Sequence, residues 1–232
     1  EACILWLLAD IAAGLAHLHT KQVVHGDLKP GNVLLQTDLS CPVGVVAKLA
    51  DFGMSAVIDP AKTHVSNFKS GTPYYIAPEI CETFQATPAA DLYSLGVVMW
   101  SVYLNRPPYK QGADGTFSAD PAFREVPPWS NLQLLHIVTQ CMQKAPKARP
   151  SAAQVHGMLE KLLGCKHASN PYAPASSAKT TTCSSAGIAD AGGTIAGLDA
   201  SATAPHVTCS ADSQQQGGAQ LGGIAGNGHK VL

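Results

Sequence analysis

A break in composition near Gly164 limits what this chain can fold into. Of the 68 residues from Cys165 to Leu232, 38 are Ala, Gly, Ser or Thr, six are charged, and Tyr172 is the only aromatic. Ordering a backbone costs about 1–2 kcal/mol per residue, and such a stretch has too little large apolar area to offset it. Residues 165–232 are therefore expected to form a disordered, low-complexity tail. No motif in them argues for a binding segment. The folding and the chemistry are expected in residues 1–164, enough for one domain.

Charge and apolar patterning exclude several function classes. The formal net charge is -1 and there is no long basic run. That argues against electrostatic nucleic-acid binding and against a polybasic membrane arm. The apolar run Leu92 to Leu104 is interrupted by Ser94 and Ser101. It falls short of the roughly 20 residues a bilayer span needs, so no membrane segment is expected. The chain opens Glu1-Ala2-Cys3, with neither initiator Met nor basic leader, and this start reads as a cut edge of a longer protein. Seven cysteines are scattered without a C-x-x-C pair. A zinc site is not expected, and the set reads as reduced thiols of a cytoplasmic protein.

Within residues 1–164 helical periodicity dominates. Leu5, Leu8, Ile11, Leu15 and Leu18 predict an amphipathic helix over 2–20. Val23-Val24, Val33-Leu34-Leu35 and Val45-Val46 running to Leu49 predict short strands, broken by Pro30-Gly31 and Pro42-Val43-Gly44. A helix is expected to start at Thr87-Pro88, with Thr87 as N-cap. Its body, through Leu95, Val98, Met99 and Val102, is apolar almost all round, which predicts a buried central helix. Ser130 with Gln133, and Ser151 with Gln154, carry capping-box spacing ahead of two more helices, the second stopped by Gly164. Trp6 and Trp100 are expected in the core. Residues 110–128 are expected to form an irregular loop.

The informative stretch is His25-Gly26-Asp27-Leu28-Lys29-Pro30-Gly31-Asn32, followed by Lys48, Asp51-Phe52-Gly53, Gly71-Thr72 and Ala77-Pro78-Glu79. Taken singly these residues have plain readings. Asp27 reads as a turn cap, Asn32 as a turn residue beside Gly31, and Asp51 as one ahead of Gly53. Taken in order, across a strand–loop–strand context, they resemble the large lobe of a eukaryotic protein kinase over residues 1–164. The resemblance implies an α+β fold: a mostly helical large lobe with short strands around the catalytic loop.

It also implies a site. Phosphoryl transfer needs charge neutralised on the nucleotide and a hydroxyl aimed at the terminal phosphorus. By resemblance Asp27 accepts the hydroxyl proton and Lys29 steadies the transferred group. Asn32 and Asp51 hold Mg2+ with ATP as phosphoryl donor, and Leu34 forms the floor beneath the adenine, although a plain core leucine is an equal reading. His25 packs near Phe52 and organises the site, Gly53 makes the tight turn, and Thr72 reaches Asp27 across the cleft. Glu79 and Arg149 form a buried ion pair, and Asp91 receives hydrogen bonds from the catalytic-loop backbone. Lys29 and Thr72 follow the serine/threonine pattern, so the expected acceptor is a Ser or Thr hydroxyl of a protein. Residues 132–163 look like the tyrosine-kinase-like group.

Two departures qualify the resemblance. Gly26 replaces the arginine that in many kinases pairs with an activation-loop phosphate, so activation is expected not to use that switch. No Gly-rich loop, strand lysine or partner glutamate precedes the catalytic loop, which implies a small lobe upstream and negligible activity for these residues alone. The alternatives are a non-catalytic kinase-like scaffold and a small-molecule phosphotransferase, the latter disfavoured by Gly71-Thr72 and Ala77-Pro78-Glu79.

Overall fold

The computed structural model describes residues 1–124, 129–164 and 230–231. The expected tail lies outside the described residues, except that Lys230–Val231 form a short strand.

Helix α1, Ala2–Thr20, follows the predicted span. By length and composition it is apolar enough to cross a membrane, but most of it is covered by the fold. Leu8, Ile11 and Leu15 are fully buried. It packs against α6 (Ala152–Leu163) and against the strand β3 (Val45–Leu49). Helix α3, Pro88–Leu104, is buried from Ala90 to Ser101, the central position its all-round apolarity predicts. It packs on α1 and on α5, Leu132–Cys141. Both Trp6 and Trp100 are in the core.

The strands are short and antiparallel. Strand β1, Val23–Val24, pairs with β4, Ala56–Val57. Strand β2, Val33–Thr37, pairs with β3 from Val33↔Leu49 to Thr37↔Val45. The terminal strand, Lys230–Val231, pairs with β2 at Leu34 and Leu35. Between β4 and α3 the chain makes one regular element, the short helix α2, Pro78–Thr83.

Three expectations are corrected. Helix α5 is capped by Asn131, whose side chain accepts from the Leu134 N–H, and not by Ser130. Asn at this place satisfies the equivalent orphan donor, one residue further along. The capping box of Ser151 and Gln154 does form on α6. Second, 109–119 is no irregular loop: Tyr109–Gln111 (β5) and Phe117–Ala119 (β6) pair as a hairpin. Asp114 accepts from the Thr116 N–H and hydroxyl, and Gly115 takes φ 81°, the turn chemistry that Asp-Gly supports. A short helix, α4 (Pro121–Arg124), follows. Third, Cys81 is disulfide-bonded, whereas Cys3, Cys41 and Cys141 are free. Spacing along the chain does not say which thiols a fold brings together. Burial pushes the Cys141 thiol up to about 12, against the lowering effect of Arg149, so it stays protonated and inert.

Candidate active site

The loop between β1 and β2 carries Asp27, and its surroundings come from three parts of the chain. Thr72 donates its hydroxyl hydrogen to Asp27 Oδ1 at 2.6 Å. Lys29 Nζ lies 2.8 Å from Asp27 Oδ2 and donates to Thr72 Oγ1 at 2.8 Å. Asn32 Nδ2 donates to Asp27 Oδ2 at 3.0 Å and to the Asp27 carbonyl at 2.7 Å. Asp27 is 5% exposed. Burial alone would raise its carboxyl. The hydrogen bonds from Lys29 and Thr72, the lysine charge and the Asn32 amide outweigh it and hold the group below the usual carboxylate range. A carboxylate offers about four acceptor positions. Three side-chain donors leave room for an incoming hydroxyl.

The loop is fixed from behind. Asp91, in the first turn of α3 and 1% exposed, accepts from the His25 N–H and the Gly26 N–H, both at 2.9 Å. A carboxylate suits a helix N-terminus, where the dipole favours negative charge. The same carboxylate meets His19 Nε2 at 2.8 Å, a partner not anticipated from sequence. The available signal was slight: a histidine in the last turn of α1, six residues before His25.

His25 is fully buried. Its Nδ1 accepts from the Asp27 N–H at 3.3 Å, so Nε2 carries the hydrogen and donates to the Ala50 carbonyl at 3.1 Å. Its ring centroid is 5.4 Å from that of Phe52. Ser55, also unanticipated, donates its hydroxyl to the His25 carbonyl at 3.1 Å.

Asp51 follows β3. The Ala50 N–H donates to the Asn32 carbonyl at 2.9 Å, which extends the β2–β3 hairpin and places Asn32 and Asp51 at its same end. Asp51 stands at φ 59°, ψ 72°, left-handed backbone that Asp tolerates better than most residues. Its Oδ1 accepts from the Gly53 N–H at 3.3 Å, and the side chain is otherwise exposed. Asn32, with its amide nitrogen engaged, has its amide oxygen left for a cation. Among the described residues no three His, Cys, Asp or Glu side chains form a metal-holding group. An amide oxygen plus one carboxylate nevertheless fits Mg2+, which binds through one or two protein carboxylates with substrate phosphates completing the shell. Leu34 is half-buried on β2. Val33 and Leu35 pack on the core and Leu34 does not, so it lies on the opposite face of the strand.

Arg149 and Glu79 meet as a two-pronged pair, Nη1 to Oε1 at 2.6 Å and Nη2 to Oε2 at 2.7 Å. The guanidinium also donates to the carbonyls of Gln143, Ala89 and Lys144 and lies 5.2 Å from the Tyr93 ring centroid. The pair ties α2, immediately after the Thr72 segment, to the turn before α6.

A sequence model of the protein kinase domain matches residues 3–158. The chain belongs to the protein kinase family. It is 36% identical over 164 residues to the serine/threonine-protein kinase PkaB of Streptomyces coelicolor, covering 68% of this chain and 39% of that one. It is 32% identical over 167 residues to the serine/threonine-protein kinase cst-1 of Caenorhabditis briggsae, covering 68% of this chain and 32% of that one. With the serine/threonine-protein kinase hippo of Drosophila melanogaster it shares 32% identity over 155 residues, 64% of this chain and 22% of that one. The chain thus spans less than half the length of these relatives.

Proposed function

We propose that this chain carries the phosphoryl-transfer face of a serine/threonine protein kinase, with ATP as donor and a protein hydroxyl as acceptor. The observation that carries the reading is the closed ring of Asp27, Lys29 and Thr72. It fixes an ionised carboxylate beside an ammonium group, the combination that in-line transfer from a polyanionic donor requires.

Asp27 receives the acceptor hydroxyl and takes its proton as the bond to phosphorus forms. Its lowered pKa keeps it charged at neutral pH and makes it a weak base, so its main contribution is aiming the hydroxyl. Lys29 offsets charge on the transferred group. Asn32 and Asp51 would hold Mg2+, which supplies charge neutralisation to the phosphates when bound. His25, Phe52 and Asp91 orient the loop. Leu34 lies beneath the adenine. Serine/threonine specificity is supported by Lys29 and Thr72 and by the names of the relatives. The tyrosine-kinase-like grouping rests on residues 132–163 alone.

The nucleotide clamp needs a small lobe with a Gly-rich loop and a lysine, so residues 1–232 alone are expected to turn over negligibly. The test is phosphate transfer from ATP, with magnesium, to a general protein substrate. Full-length protein should label Ser or Thr, with an Asp27→Asn variant reduced about 10²- to 10⁴-fold. Robust turnover by residues 1–232 would refute the small-lobe requirement. Full-length protein that binds nucleotide in neither the presence nor the absence of magnesium would favour the non-catalytic scaffold.

A further inference from the structure

Residues 55–72 carry hydroxyls at Ser55, Thr63, Ser66, Ser70 and Thr72, yet a ring ties this segment to the catalytic loop. Gly26 takes φ 79°, a backbone region in which other residues are strained. A Cβ there would run into the Phe68 ring and stand 3.0 Å from the Met54 carbonyl oxygen. Phe68 is 7% exposed, so its ring is buried on the loop and not laid over the surface. The backbone around it is fixed from the other side. Val65 and Ala86 exchange two N–H···O bonds at 2.9 and 3.0 Å, and the Phe68 N–H donates to the Phe84 carbonyl at 2.9 Å. Three residues separate Phe68 from Thr72, and the last of them, Gly71, also lies near the loop. A Cβ on Gly71 would lie 3.4 Å from the Gly26 carbonyl oxygen. The segment therefore meets residue 26 at Phe68, comes close to it at Gly71, and contacts residue 27 at Thr72.

We propose that Phe68 is a positioning residue for phosphoryl transfer: its ring, seated on Gly26, pins residues 63–72 so that Thr72 stays on Asp27, by apolar burial and without a phosphate. This rests on the kinase reading above and deepens it. A phosphate clamp needs a cation at residue 26, usually an arginine fork. Here that position has no side chain, and the ring fills the space one would need. Burial of a phenyl ring needs no phosphate and is not weakened by charge screening, so the segment is anchored as synthesised. Gly26 and Phe68 are thus one device: the glycine admits the ring, and the ring replaces the charge.

The experiment compares full-length wild type with Phe68→Ala, Phe68→Leu and the triple variant Thr63→Ala, Ser66→Ala, Ser70→Ala. Kinetics are measured together with amide hydrogen exchange. Phe68→Ala should lower kcat about 10- to 100-fold with KM for ATP within about 2-fold. Exchange should rise in residues 63–72 while α3 stays protected. Phe68→Leu should recover most of kcat, since it restores apolar volume. The triple variant should keep wild-type activity within about 2-fold. Wild-type kcat in Phe68→Ala would overturn the proposal. So would collapse of the triple variant to background, or exchange rising equally through α3, which would mark Phe68 as a core residue only. If wild-type protein transfers no phosphate, the kinase reading itself fails. The exchange comparison then decides the anchoring alone: a rise confined to 63–72 supports it, and no rise removes it.

Discussion

Asp27 and Asp51 lie at the two edges of one site, and the chain treats them oppositely. Asp27 is buried, held by three side chains, and its loop is fastened by Asp91 to the central helix. Asp51 is exposed, with a 3.3 Å bond to the Gly53 N–H, and its neighbours Phe52 and Met54 are 49% and 43% exposed. On the proposed reading the acceptor side is thus preorganised by this chain, whereas the metal and nucleotide side is left open. Contacts made in advance cost nothing at the moment of reaction. An exposed carboxylate, by contrast, keeps its hydration until a cation replaces it.

The largest effect should come from cutting the tied side at its anchor. Glu79→Ala leaves Arg149 buried without its carboxylate and should destabilise the fold by about 3–5 kcal/mol in urea unfolding. A loss below about 1 kcal/mol would mean that the carbonyls of Gln143, Ala89 and Lys144 satisfy the guanidinium unaided.

The next test sets the two carboxylates against each other. Asp27→Ala removes the carboxylate that Thr72, Lys29 and the Asn32 amide share, at a cost of about 1–3 kcal/mol. Asp51→Ala should leave stability within about 0.5 kcal/mol of wild type. Equal losses would erase the contrast between a built edge and an open one.

A smaller effect separates two buried acids. Asp10, in α1, accepts from the Ala47 N–H at 2.9 Å. Burial, opposed by that bond and by Lys48, raises its carboxyl from 3.8 to about 6. Its folded form therefore binds the proton more tightly than the unfolded chain. The stability it contributes is fully present below about pH 4 and is lost as pH rises to about 6. Asp27 behaves conversely, its contribution falling away only as the pH drops through its lowered pKa. Asp10→Asn should flatten the decline between pH 4 and 6 by on the order of 1 kcal/mol, read as Tm against pH. An unchanged profile would assign the decline to other groups.

The sequence revealed much of this contrast, for identifiable reasons. Periodicity located α1 and α3, because a helix that must be buried along its length reads as apolar along its length. The motif residues located the site, because Asp27, Lys29 and Asn32 are joined by contacts spanning five residues or fewer. Contacts reaching across the fold were legible only by resemblance, as for Thr72, Asp91 and the Glu79–Arg149 pair, or not at all, as for His19 and Phe68. A buried phenylalanine in a segment of hydroxyls gives no sign of where its ring will lie. The hairpin 109–119 was missed although Asp114-Gly115 is a turn signal, because its strands are three residues long and only half apolar, too short for alternation to register.

The most direct test of the site as a whole is the thermal stability of full-length protein with ATP, with and without magnesium. The account predicts a rise in Tm with ATP that requires magnesium, lost in Asp51→Asn and retained in Asp27→Asn. An equal rise in Asp51→Asn, or none in wild type, would contradict it.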